Sequence, residues 1–161
     1  MKDDWQALVR ASSGYLELGM LKEAARALQK IAPEDRMRSA VLGVQVGLYI
    51  KQGNWNSAEA LAGRLVKLEP EDAAWWIAYA YSTMYARTIE EAEAILQQAR
   101  ELHPRNAHIL FNLASYASAT GRMEEAKVRL RHAMDLEAEI RQLALEEEDL
   151  RPLWGWIGSS E

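Results

Sequence analysis

Apolar residues recur along most of this chain at helical spacing, in paired stripes. In a frame of 34 residues starting at Trp5, positions 4, 8 and 11 share one narrow face at about 100° per residue, and positions 20, 24 and 27 share another. The frame gives blocks 5–38, 39–72, 73–106 and 107–140. Their fourth positions are Leu8, Leu42, Trp76 and Leu110; their eighth are Ser12, Val46, Ala80 and Ala114, so a large residue faces a smaller one. The twentieth position is alanine throughout, at Ala24, Ala58, Ala92 and Ala126. Leu28, Ala62, Leu96 and Leu130 follow at the twenty-fourth, and Ile31, Leu65, Ala99 and Ala133 at the twenty-seventh. Each block therefore reads as two amphipathic helices, at about 4–18 and 20–32, 39–52 and 55–68, 73–86 and 89–102, and 107–120 and 123–136, with one more at about 139–148. No strand pattern competes.

The connections carry their own signals. The fifteenth position is Gly19, Gly53, Arg87 and Gly121, and glycine suits a residue that must take a positive φ between two helices. Arg87 is the exception, but Thr88 and Glu91 in that block have the spacing of a capping box that can start the second helix. Pro70 and Pro104 end blocks two and three, where a missing amide hydrogen stops a helix. In block one Pro33 comes three positions earlier, which shortens the second helix and leaves PEDRMR as a longer connection. The likeness of EEAEAILQQARELHP at 90–104 to EEAKVRLRHAMDLEA at 124–138 then has a physical meaning. One helix pair cannot cover its own apolar face, so each buries it against the next, and the same contact demands the same residues.

The columns just described, with the aromatic at position 11 (Tyr15, Tyr49), resemble the tetratricopeptide repeat over residues 5 to about 138. Thr83 and Ala117 at position 11, Ala138 in place of the closing proline, and Gln45 at an apolar position depart from the pattern. The resemblance implies an all-α fold, an α-solenoid in which antiparallel helix pairs wind into a right-handed superhelix and the first helices line a concave groove. The expected organisation is four repeats within 1–138 (about 5–38, 39–72, 73–106 and 107–138), then a capping helix and Trp-rich tail at 139–161. That tail, with Leu153, Trp154, Trp156 and Ile157, is too apolar to be left in water; it reads as a cap on block four or as a docking peptide for another subunit.

Composition narrows the function. With 161 residues and 49% hydrophobic content the chain can bury a real core, and it has no cysteine for disulfides, thiolate metal sites or thiol nucleophiles. The acids near the start and the lack of a long apolar run favour a cytoplasmic protein with no leader or membrane span. The net charge of −5 comes from residues 137–149, which hold six acids against Arg141 alone, whereas 1–136 hold 17 bases and 17 acids. With no basic stripe, neither nucleic acid nor an anionic membrane is expected as a partner.

Catalytic chemistry finds no purchase. His103, His108 and His132 lack zinc spacing, no glycine-rich phosphate loop occurs, and no serine sits in a nucleophile elbow, so no enzyme activity, metal or cofactor is expected. Glu90, Glu91, Glu124 and Glu125 fall in first helical turns, where they complement the helix dipole. The arc of each first helix turned away from its buried stripe is more informative. In the middle blocks it has a floor of small residues (Gly43, Gly47, Ala78), followed by Ile50, Ile77, Tyr81, Met84, Tyr85 and Phe111 with His108 and Asn112 beside them. Small residues leave room for a guest, and aromatics with methionine give adaptable apolar contact. Gly43, Gly47, Ala74 and Ala78 occupy sites where one branch of the family places the cations and amides that grip a chaperone's terminal carboxylate, so that specificity is not expected. The leading expectation is a protein–protein interaction module, or scaffold, that binds a partner's peptide segment in the groove. The alternatives are a small secretion-type chaperone for an export substrate, and a scaffold subunit that self-assembles into a homo-oligomer.

Overall fold

The computed structural model describes residues 4–159, and among these it contains ten α-helices, two 3-10 turns and no strand. The helices are α1 (Trp5–Glu17), α2 (Leu21–Gln29), α3 (Ser39–Lys51), α4 (Trp55–Leu68), α5 (Ala73–Ala86), α6 (Ile89–Leu102), α7 (Ala107–Ala119), α8 (Met123–Leu136), α9 (Ile140–Glu146) and α10 (Trp154–Ser159). Residues 1–3 and 160–161, the outer ends of the two expected segments, lie outside the described residues. The chain divides into two compact units, one running through Thr88 and one beginning at Ile89.

In the first unit α1 packs on α2, α3 on α4 and α4 on α5, while α3 also touches α1. The repeating alanines explain how closely these helices approach. Ala24 and Ala58 are fully buried, and Ser12 of α1 donates its hydroxyl to the Ala24 carbonyl of α2 at 2.9 Å, a contact that a longer side chain at 24 would obstruct. Asp4 and Asp72 cap α1 and α5 by accepting the amides of Gln6 and Ala74, which satisfies donors that a helix start leaves open. Trp76 anchors the entry to α5 by donating its indole N–H to the Pro70 carbonyl at 2.8 Å.

Gly53 leaves α3 with a φ of 70°, as Gly19 and Gly121 do at their turns with 72° and 80°. Alanine at 53 therefore meets backbone strain, although its Cβ would make only an ordinary contact with Trp55 at 4.0 Å, and should cost about 1 kcal/mol. Gly14 lies inside α1 with nothing near the position its Cβ would take, so alanine there should stabilise by about 0.5–1 kcal/mol. Urea midpoints of the two variants should move in opposite directions. Movement in the same direction would refute the assignment of these glycines to different roles.

The second unit is built on α7, whose packing against α8 is the tightest in its core; Leu110, Ala114, Ala126, Leu130 and Ala133 interleave there. Asn106 caps α7 by accepting the Ile109 amide. The chain after α8 differs from the single helix expected at 139–148. α9 stops at Glu146 because Glu147 turns extended and its carboxylate accepts the Asp149 amide; a 3-10 turn over Glu148–Leu153 and then α10 follow. Leu150, Leu153 and Ile157 are buried in one apolar cluster with residues of α7, α8 and α9, the 3-10 turn packing on α7 and α10 on α9. Ser118 of α7 donates to the Asp149 carbonyl at 2.6 Å, Trp154 donates to the Ala144 carbonyl at 2.9 Å, and Arg141 donates to the Ile157 carbonyl.

Both 3-10 turns contain a proline, which cannot supply an amide hydrogen: Pro33 opens the first and Pro152 lies inside the second. Pro33 also explains why α2 ends at Gln29, about three residues short of the expected end.

Candidate functional site

The first helices of the first unit border an open, shallow trough of about 350 Å³ between α1, α3 and the start of α5. Its walls are Leu16, Val44 and Trp75, its floor is Ala40, Gly43 and Gly47, and Ser13 and Glu17 stand at its edge. The glycines are needed in different ways. A Cβ on Gly43 would lie 2.3 Å from the Trp75 ring, so this glycine receives the indole and is filled from within the molecule. A Cβ on Gly47 would meet the Leu16 side chain at 3.3 Å, a tight contact that the flexible leucine can relieve only by shifting. The expectation that both glycines leave room for a guest is thus corrected at Gly43, whose space Trp75 fills, while Gly47 abuts Leu16 on the trough floor.

Trp75 is fixed in that place. Its indole N–H donates to Glu69 at 3.1 Å, and hydrogen bonds from Ser39 and Trp75 hold the Glu69 carboxyl below its usual pKa. The tryptophan is the trough's largest apolar surface, and it is not among the groove residues expected from the sequence. The available signal is its place one residue before the buried stripe, opposite a glycine on the preceding first helix.

The expected groove residues are distributed over both units. In the first, Ile50 packs half-buried on the Leu42, Val46 and Leu65 cluster, and Ile77 and Met84 are also half-buried. Tyr81 and Tyr85 are 37% and 52% exposed, but they are not free-standing anchors. Trp55, at the start of α4, stacks on Tyr85 with centroids 4.3 Å apart and meets Tyr81 edge-on at 5.8 Å; the two tyrosines meet edge-on at 5.2 Å. Offset and edge contacts of this kind contribute about 0.5–1.5 kcal/mol each beyond burial, so the trio is braced as well as displayed. Trp55 escapes a sequence reading because it lies on a second helix, outside the arc considered. Nearby, Arg87 pairs with Glu59 at 2.6 Å, which in turn accepts from Thr83.

In the second unit Phe111 packs half-buried on the main apolar cluster. His108 lies 3.4 Å from the Glu137 carboxylate, and Asn112 donates its amide to the His108 carbonyl. These three side chains are therefore engaged within their own unit. Among the described residues no group of three or more metal-ligating side chains comes together, and no helix is long and apolar enough to cross a membrane.

The tetratricopeptide repeat family model matches residues 15–80 and 84–147, most of the chain. Among solved structures the chain is similar to TTC0263, a thermophilic TPR protein of Thermus thermophilus, at 20% identity and a TM-score of 0.78, over 96% of this chain and 84% of that one. It is also similar to MamA of MSR-1, at 17% identity and a TM-score of 0.63 over 96% and 87% of the two chains. MamA of AMB-1 aligns at 16% identity and a TM-score of 0.64, over 96% and 90%. At these identities the likeness shows the fold alone, an all-α helical solenoid. No curated protein matches the chain.

Proposed function

We propose that this chain, which belongs to the tetratricopeptide repeat family, binds a peptide segment of a partner protein in the trough of its first unit, without catalysis. The family commonly serves protein–protein interaction and is generally non-enzymatic scaffolding, so the general role follows from membership and the particular surface is the proposal. The observation that carries it is the trough itself. It combines a volume of about 350 Å³ with apolar walls from Leu16, Val44 and a pinned Trp75, and Glu17 is the one charged residue that lines it. A pre-formed, mostly apolar concavity with few polar groups loses little order when an extended or helical segment enters. Tyr81 and Tyr85 add exposed aromatic surface further along α5, roughly 10 Å or more beyond Trp75 by helix rise. His108, Phe111 and Asn112 belong to the same proposal as a lesser surface on the second unit.

The terminal segment fits this reading as a cap, since Leu153 and Ile157 are used within their own unit. That observation favours a cap over a docking peptide, and no comparable one supports the chaperone alternative.

Panning a random heptapeptide phage library on the immobilised chain tests the trough. Peptides selected there, measured by fluorescence polarisation, should lose about tenfold or more in affinity on Gly47→Leu, which puts a large side chain on the floor beside Leu16, and on Trp75→Ala, which removes a wall. Thermal melts should show both variants folded. Tyr81→Ala with Tyr85→Ala should weaken the same peptides less, because Trp55 remains. If no selected peptide responds to Gly47→Leu or Trp75→Ala, this surface is not the binding site.

A further inference from the structure

On the opposite side of α3 from the trough lies a larger cleft, of about 550 Å³, walled by α2, the loop after it and α4. Two irregularities of the sequence open it. The early Pro33 ends α2 after 9 residues where α4 runs for 14, so a turn of helix that would lie over α3 is missing. Gln45 stands in the column that holds Tyr79 and Leu113 in the next two blocks, where an apolar side chain would help to fill the space. The floor that remains is apolar, with Leu28, Val41, Leu42, Leu48 and Leu61, and Met37 at the rim is 58% exposed.

The charge in this cleft is one-sided. Arg36 is its only charged lining residue, and no carboxylate lines it. The guanidinium is held by the carbonyls at the end of α2, with Nε donating to Ile31 at 2.9 Å and Nη2 to Gln29 at 3.2 Å. Among the described residues its other terminal nitrogen has no partner and Arg36 makes no ion pair. A cation fixed by neutral carbonyls beside an apolar floor complements an anion attached to apolar groups. The polar groups along α3 indicate the form of that ligand. Gln45 and Gln52 both line the cleft two helical turns apart, about 10.5 Å by helix rise, which is the span of about three residues of extended chain. Their carboxamides can each donate to and accept from a peptide backbone.

We propose that this cleft is a second docking site, one that takes a short extended peptide of a partner protein carrying an acidic side chain beside apolar ones. The carboxylate pairs with Arg36, the apolar side chains enter over Leu42 and Leu48, and the Gln45 and Gln52 amides hold the backbone. The site is independent of the trough, whose only charge is the opposite one, Glu17.

The same heptapeptide library separates the two sites. Panning should yield a class of peptides that pair Asp or Glu with Leu, Met or Phe. Their affinity should fall about tenfold or more on Arg36→Gln, and on Gln45→Leu, which fills the cleft with the residue type usual in that column. Gly47→Leu should leave them unchanged. Gln45→Leu and Arg36→Gln proteins should melt as cooperatively as the parent. Three results would each overturn the proposal: no acidic–apolar class is selected, that class binds Arg36→Gln with unaltered affinity, or it loses affinity on Gly47→Leu and so belongs to the trough. Loss of the trough-binding class alone would sink the proposed function and leave this site standing.

Discussion

A chain ended after Asp149 should unfold its second unit at far lower urea than the full chain, with an expected loss of roughly 5–9 kcal/mol. The loss comes from Leu150, Leu153 and Ile157, buried in the apolar cluster of the second unit, at about 1.5–3 kcal/mol for each such side chain. Domains are stable by only about 5–15 kcal/mol in all, so the truncated unit should scarcely hold a cooperative fold. The hydrogen bonds from Trp154 to Ala144 and from Arg141 to Ile157 disappear with it, as does the stacking of Arg131 over Trp156 at 5.3 Å. A milder variant keeps the measurement interpretable: Ile157→Ala should cost about 3 kcal/mol by leaving a cavity in the same place. Urea unfolding reports the loss, and size exclusion reports the state of assembly. A docking peptide would behave in the opposite way. In that case Ile157→Ala would leave the urea midpoint unmoved and shift the elution volume.

The closing segment also shows what the sequence could and could not disclose. Spacings of three and four residues among Leu150, Leu153 and Ile157 were present to be read, but Pro152, Gly155 and Gly158 break any single helical pattern across them. The repeats suffered from no such interruption. Alanine at 24, 58, 92 and 126 is fully buried in every block, and the residues in the fourth, eighth, twenty-fourth and twenty-seventh columns are buried too, except Leu8, which is half-buried. One contact repeated along a chain writes itself into columns, and columns can be read without coordinates.

The candidate surfaces were less legible because they depend on which side chains meet. Tyr81 and Tyr85 follow from the exposed arc of one helix, whereas their stacking on Trp55 requires the placement of another. Gly43 and Trp75 show the same limit. A missing side chain and a large one are complementary volumes, and only packing reveals that they fill each other. Gln45 and the early Pro33 were visible as separate departures from the repeat. Their convergence on one cleft beside Arg36 is a property of the fold.

The acidic residues of the second unit carry this distinction into energetics. Glu90, Glu91, Glu124 and Glu125 have a local explanation in the helix starts, but the role of Glu93 is not local, because its partners lie 29 and 36 residues away. It takes a two-pronged contact from Arg122, at 2.6 and 3.0 Å, and a further hydrogen bond from Arg129 at 3.3 Å. The Arg129 side chain is only 10% exposed and that of Glu93 16%; Arg129 also donates to Glu125 and to the Leu113 carbonyl. Glu93→Gln keeps the shape but leaves a nearly buried cation with one carboxylate fewer, at an expected cost of about 2 kcal/mol near neutral pH. The sign of its pH dependence follows from the Glu93 carboxyl, held below its ordinary value chiefly by the Arg122 hydrogen bond, against an opposing push from burial and with help from Arg129. A carboxyl whose pKa is depressed by folding contributes stability above its unfolded value, here 4.5, and loses that contribution as pH falls through the lower folded value. Urea midpoints of the parent and Glu93→Gln, compared from neutral pH downward, should therefore differ most at neutrality and converge in acid. A gap that stays constant, or widens as pH falls, would mean that Glu93 stabilises the unit by packing and not by its charge.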